Sequence, residues 1–397
     1  MRRAFILLSI MLLLAYAGHG QERFYNLVEG WSNNHSFEYD NGYGALGLEI
    51  VGSPFDHRFV FDALDFEGIS LNQSYFFVDS LESTSFRSNS SSNVQELESK
   101  LLIASYIGNN SAFRLYGSLF EYTLPDGPIE LIATYDFDLF NQLVAVVSKN
   151  DSTLLIGGYL SDNEGYRRAL IMDTDMEGDV RWTFESACGI YCLSRIQQVL
   201  PLSDGSIGVL FYEFDANLPT WEETKRSVLL KLSAEGEEEW RTYLGDWEDY
   251  RIDPGGIVEV DGEIIVSYTD TDIWDEDEGP QGQYVTYIPN TIHLAYFDLE
   301  GVLVNEVSLL DQIPNGISMP GRYKYELSQM QLLDDDNLLL TGTTRFGAFL
   351  LKTAVAGDVF WSREHMYVPF NPNANEQDNY IYHALPTSDG GFLCTGE

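Results

Sequence analysis

Short apolar runs alternate with turns rich in Asp, Asn and Gly along most of this chain. The stretches between them lack the three-to-four-residue apolar spacing of a helix. Each run follows a turn and ends in small residues: NDSTLLIGG from Asn150, SDGSIGVLF from Ser203, DGEIIVSYT from Asp261, DDNLLLTGT from Asp335 and SDGGFLCTG from Ser388. Fainter copies are DNGYGALGL from Asp40 and SKLLIASYI from Ser99. Asp-Gly and Asn-Gly supply the positive φ angles of tight hairpin turns, so each run is predicted to be a strand entered through a hairpin.

A second phrase follows each of these strands. It is a β-prone segment, an acidic residue beside a turn glycine, and often a tryptophan four residues on: LIMDTDMEGDVRW from Leu170 to Trp182, LLKLSAEGEEEW from Leu229 to Trp240, and FLLKTAVAGDVFW from Phe349 to Trp361. Weaker copies start at Phe59, Leu119 and Leu294. The turn glycines Gly68, Gly127, Gly178, Gly236, Gly301 and Gly357 recur about every 58 residues, near the range of repeat architectures. One period holds about four short strands. Such a unit repeated six or more times predicts an all-β chain, a β-propeller of about six to seven four-stranded blades. An open β-solenoid is the rival, with repeats that are usually shorter. The seventh copy begins at Ser388 and has room for about one strand before Glu397, so the last blade is expected to be incomplete and the chain truncated. Phe24 to Trp31 stands where a leading half-strand could complete it. The long interval between the turns at Asp261 and Asp335 carries an acidic insertion, Thr269 to Gln283, and a second polar stretch, Asp311 to Arg322, expected as loops on one face of the ring.

The division expected is a secretory signal at residues 1–20 and a propeller at residues 21–397. Arg2 and Arg3 supply the basic end, Ala4 to Leu14 the apolar stretch, and Ala15-Tyr16-Ala17 a small-x-small cleavage site. That apolar run is shorter than the ~20 residues of a spanning helix, and no later segment is apolar enough to cross a bilayer. The mature chain is therefore expected to be secreted or held at the cell surface, with no membrane insertion. Sixty-two acidic residues against 22 basic ones give a net charge of −40, spread along the chain. Such a surface repels nucleic acid and anionic membranes, and it suits solubility in a salty or crowded exterior.

Three cysteines are too few to hold the fold together. Cys188 and Cys192 are close enough for a local disulfide if their loop turns back, and Cys394 reads as a buried thiol on a strand. Asp270, Asp272, Asp275 and Asp277 in the acidic insertion offer oxygen ligands suited to calcium, although their spacing lacks the Gly and terminal Glu of an EF-hand loop. No other cofactor is expected. Trp182, Trp240 and Trp361, with Gly178, Gly236 and Gly357, read as structural. Trp221, Trp247 and Trp274 lie in loop-like acidic settings and could stack on sugars. His365 and His383 fall in neighbouring repeats and read as satisfied surface residues. No nucleophile elbow and no phosphate-binding loop occurs.

The apolar-L-x-K-x-x-x-x-G-x-x-x-W phrase, followed by a turn and DGG-aromatic-apolar, resembles the repeat of secreted Bacteroidota β-propeller proteins. It is strongest at Leu229 to Trp240, Phe349 to Trp361 and Ser388 to Gly396. The resemblance implies export through the type IX secretion system, although no carboxyl-terminal sorting domain is present here. The G-x-x-x-W portion is also similar to the tryptophan-docking repeats of pyrroloquinoline quinone dehydrogenases, which implies tryptophans packed between blades. No haem-attachment C-x-x-C-H accompanies it. The leading expectation is a non-catalytic surface or secreted binding module that meets a macromolecule, either a glycan or an envelope protein. The alternative is an extracellular hydrolase, lyase or quinone-type oxidoreductase with its site at the central funnel.

Overall fold

The structure, a computed structural model, describes residues 31–39, 42–50, 57–65, 70–76, 83–85, 93–109, 114–124, 127–137, 140–162, 166–186, 192–215, 226–245, 250–275, 285–309, 326–344, 347–365, 381–388 and 390–396. Among these residues every regular element is a strand. Blade one is β1 (Trp31–Tyr39), β2 (Gly42–Ile50), β3 (His57–Leu64) and β4 (Ser70–Phe76). In blade two, β5 (Ser83–Ser85) and β6 (Val94–Leu97) share one edge of β7 (Lys100–Asn109), which continues to β8 (Arg114–Thr123) and β9 (Ile129–Tyr135). Blade three is β10 (Phe140–Asn150), β11 (Thr153–Ser161), β12 (Arg167–Asp175) and β13 (Val180–Glu185). Blade four is β14 (Cys192–Pro201), β15 (Ile207–Asp215), β16 (Arg226–Leu232) and β17 (Glu238–Tyr243), joined to blade three by one parallel pair, Arg167 with Leu193. Blade five is β18 (Tyr250–Val260), β19 (Glu263–Asp275), β20 (Val285–Phe297) and β21 (Leu303–Ser308). Blade six is β22 (Glu326–Leu332), β23 (Asn337–Thr344), β24 (Gly347–Ala354) and β25 (Val359–His365), and the last sheet pairs β26 (Ile381–Pro386) with β27 (Phe392–Gly396).

Within each sheet the pairing is antiparallel, and the innermost strands pack on one another in order: β10 on β14, β14 on β18, β18 on β22, β22 on β26, and β26 on β1. First and last sheets therefore meet, and the repeat closes into a propeller. The inner strands are buried on both faces, as along β11, whereas the outermost β13 and β21 keep mostly exposed residues. The core is layered between blades. Phe59, Phe61, Phe120 and Tyr122 join blades one and two, Leu155, Ile171, Val209 and Leu230 join three and four, and Leu294, Met330, Leu340 and Phe349 join five and six. Burying a side chain of this size stabilises the ring by about 1.5–3 kcal/mol.

Six innermost strands carry the same irregularity. Their pairing shifts register across Asn34, Val144, Gln197, Gly255, Ser328 and Tyr382. A bulge adds one unpaired residue and re-aims its neighbours. The residue after the bulge then reaches the next blade: Gln198 Oε1 accepts the Ile257 N–H at 2.9 Å, and Gln329 Oε1 accepts the Ala384 N–H at 3.1 Å. The Gln197 amide donates to the Gly255 and Ser328 carbonyls at 3.2 and 3.4 Å, so one buried side chain of blade four ties three blades together at the inner strands. Residues 1–30, including the expected signal and Phe24 to Gly30, lie outside the described residues; Trp31 opens β1 in blade one.

Candidate functional site

In blades three to six the turn glycine of the second phrase lies against the outermost strand of the preceding blade. Gly236 has φ +84°, and a Cβ there would lie 2.5 Å from the Trp182 ring; Gly301 has φ +82° and would meet the Trp240 ring at 2.6 Å. The position needs both the left-handed backbone and the missing side chain. Trp182 Nε1 donates to the Ala234 carbonyl at 3.2 Å and Trp240 Nε1 to the Leu299 carbonyl at 3.0 Å, each two residues before the glycine. Lys149 and Lys231 donate to the same two carbonyls, and Tyr296 Oη takes the equivalent Val355 carbonyl at 2.6 Å. Gly178 faces Ala133 of blade two, Gly357 faces Val307 of blade five, and Trp361 lies 5.8 Å from the Phe392 ring of the last sheet. These groups latch blade to blade.

Between blades four and five the described residues line a half-open cavity of about 350 Å³. Ile252, Ala295 and Phe297 give it an apolar floor, Thr242 and Tyr243 come from blade four, and Tyr268, Asp270, His293, Leu303 and Glu306 from blade five. Strand register assembles the polar part. Tyr268 and His293 are direct partners across β19 and β20, so their rings share a face and stack at 4.8 Å with 10° between planes. Asp270 follows Tyr268 by two residues on that face, and Glu306 of β21 pairs with Ala295 of β20. His293 Nδ1 lies 3.3 Å from Glu306 Oε1 and Nε2 lies 3.2 Å from Asp270 Oδ2, while Tyr268 Oη donates to Glu306.

Burial alone would lower the His293 pKa, but the close carboxylates of Asp270 and Glu306 outweigh it and raise the value to about 9. The imidazole is a cation at neutral pH. Its hydrogen bond in turn holds the Glu306 carboxyl below the usual range against burial, with Tyr268 assisting. Burial, then the bond to Glu306, pushes the Tyr268 phenol well up, so it stays protonated. His293 Nε2 and Asp270 Oδ1 are buried without a hydrogen-bond partner in the protein, the Nε2–Asp270 contact being an ion pair off the hydrogen-bond line. An unmet buried group costs about 1–3 kcal/mol.

Of the four aspartates read as calcium ligands, Asp270 is the one whose side chain is described, and its partner is the imidazole cation. Asp272 and Asp275 lie on β19 with side chains outside the described residues, and so does the whole of Asp277. Among the described residues no group of three or more His, Cys, Asp or Glu is arranged to hold a metal. Cys188, Trp221, Trp247 and the side chains of Cys192, Trp274 and His365 also lie outside them. Cys394 is a half-buried free thiol whose pKa burial raises to about 12. His383 is buried rather than on the surface, because it sits where blade seven meets blade one. His293 and Glu306 were not singled out from sequence. A signal existed: eight residues before the turn glycine the phrase has Leu170, Val228 and Phe349, and blade five alone has a histidine there.

No protein-family model matches the chain, and no curated protein matches it. Solved structures do. The chain is similar to a polysaccharide lyase, Uly1, at 11% identity over 92% of this chain and 88% of that one, with a TM-score of 0.49. It is similar to an α-L-arabinanase of Penicillium chrysogenum at 12% identity over 69% and 81%, TM-score 0.43. The β-propeller domain of the trilobed protease of Pyrococcus furiosus matches at 10% identity over 89% and 100%, TM-score 0.42. At these identities the likeness is one of fold. The expectation of a non-catalytic binding module is nevertheless corrected, since the structures that share the fold include glycan-cleaving enzymes. The cavity described above lies between blades four and five, whereas the enzymatic alternative expected its site at the central funnel.

Proposed function

We propose that the chain is an extracellular enzyme that hydrolyses a neutral glycan by general acid–base catalysis in the cavity between blades four and five. The reading is carried by one imidazole, held protonated between two carboxylates and stacked under a phenol, in the wall of that cavity. Paired acid and base groups whose environments push their pKa values apart are what bond cleavage at neutral pH requires. His293 gives its proton to the leaving oxygen as the bond from the anomeric carbon breaks. Glu306 takes a proton from the water that adds to that carbon, and Tyr268 positions Glu306 through its hydroxyl. Charge selects the substrate class. The lining residues hold two carboxylates against one imidazolium and no Lys or Arg, so a uronate or phosphate ester meets repulsion. Tyr243 offers a partly exposed ring to a sugar, and Thr242 with the carboxylates offers partners for its hydroxyls.

Arg2, Arg3 and the apolar segment after them support export, and the repeat's resemblance to secreted Bacteroidota propellers supports a type IX route to the surface. Calcium at the acidic insertion would brace that face, outside the steps above. The purified chain is expected to release reducing ends from at least one of arabinan, galactan or xylan, and far less from a uronate polymer. Failure to cleave any of them, or cleavage untouched by His293→Gln, overturns the proposal. Turnover is also expected to fall as pH rises through about 9, where His293 loses the proton it donates; a pH–rate profile checks the position of that limb.

A further inference from the structure

Blade seven meets blade one through a polar joint. His383 follows the bulge of β26, the place held by Gln198 and Gln329 in blades four and six. Where those glutamines offer an amide oxygen, His383 offers Nδ1, which accepts the Ser36 N–H at 3.2 Å and lies 2.9 Å from Ser36 Oγ. The other partner of Ser36 Oγ is the Leu393 carbonyl of β27, at 3.4 Å. His35 stacks on His383 with ring centroids 4.1 Å apart, and its Nε2 lies 3.1 Å from Glu96 Oε1 of β6. Both rings are buried. Among the described residues Glu96 is the titratable group facing the pair; Ser36 from β1, Thr395 as the register partner of His383, and the Leu393 carbonyl are neutral.

This geometry requires His383 to be unprotonated at Nδ1. Protonated at Nδ1, His383 would present a donor to the Ser36 N–H, and two stacked imidazolium cations 4.1 Å apart would repel with one carboxylate between them. Glutamine at the equivalent joints cannot make that change. We propose that the junction of blades seven and one is a pH-operated closure of the ring, shut while His35 and His383 are neutral and released when they take up protons.

Burial holds His35 down at about 3, and burial with the neighbouring His35 holds His383 well below its ordinary value, partly offset by Glu96. In the opened joint each ring regains an ordinary pKa near 6.5, so the closing free energy is whole above that pH and shrinks below it. At pH 5 each freed histidine favours opening by about 30-fold relative to pH 8.

Hydrogen–deuterium exchange on the intact chain tests this. After correction for the intrinsic rate, amides of β1, β26 and β27 are expected to lose protection reversibly between pH 7 and pH 5, while those of β15 and β16 keep theirs. His383→Gln restores the oxygen acceptor without that titration, and His35→Phe keeps a stacked ring; each removes one of the two titrating groups and should halve the logarithm of the effect. Joint amides no more acid-labile than those of blade four, in the parent chain alone, overturn the proposal whether or not a variant folds. Equal acid lability of a folded His383→Gln chain overturns it as well.

Discussion

His293→Gln is expected to lower turnover of the neutral glycan by about 10²–10⁴-fold, the usual worth of a positioned general acid. Glutamine keeps a donor beside Glu306 and Asp270 and fills similar space, but it has no proton to give. The loss should therefore fall on kcat, with KM close to that of the parent, and the alkaline limb near pH 9 should vanish from what activity remains. Glu306→Gln removes the base and the partner that raises His293, so it should cost a similar factor and also move that limb downward. Tyr268→Phe keeps the stack and deletes the hydroxyl, so a smaller loss confined to kcat is expected. A purely structural ion cluster would instead lower the melting temperature in all three variants and leave the pH limb of the residual activity where it was. Rates over a pH series, with calorimetry on the same samples, separate the two.

The fold was legible because the propeller rests on local chemistry that recurs. Hairpin turns need Asp-Gly or Asn-Gly, the latch needs a glycine of positive φ, and Trp182 and Trp240 stand four residues after theirs, so each appears at a fixed offset in the string. The polar cluster of the cavity was not legible, because its members come from three strands well apart in sequence and meet only through register. Tyr268 and His293 are 25 residues apart yet direct cross-strand partners. Asp270 drew notice through its acidic neighbours, which pointed to a cation from outside rather than to an imidazolium supplied by β20. Sixty-two acidic residues hide Glu306, since any one of them could be drawn into a pair. The closing joint was hidden differently. His383 stands six residues before its turn aspartate, as Gln198 and Gln329 do, and only the acceptor role those side chains share makes the substitution intelligible.

Trp240→Ala is expected to lower unfolding stability by about 3 kcal/mol, near the low end for a large aromatic because the indole is only half-buried. It removes the packing between blades four and five and one of the two donors to the Leu299 carbonyl, with Lys231 left as the other. Gly301→Ala acts on the same contact from the other side. It forces a left-handed alanine and drives a methyl to 2.6 Å from the indole, so about 2–3 kcal/mol is expected. Gly205→Ala isolates the backbone part, since φ there is +87° and an added Cβ meets nothing within 4 Å; about 1 kcal/mol is expected. The double variant decides whether the latch is a contact or two independent strains. With the indole gone the methyl that Gly301→Ala adds has room, so Trp240→Ala with Gly301→Ala should cost less than the sum of the single changes by about 1–2 kcal/mol. Denaturant unfolding of the four variants measures this. Strict additivity would mean that the glycine answers to its backbone angle alone, and that the tryptophan's place against it has no energetic role in holding one blade to the next.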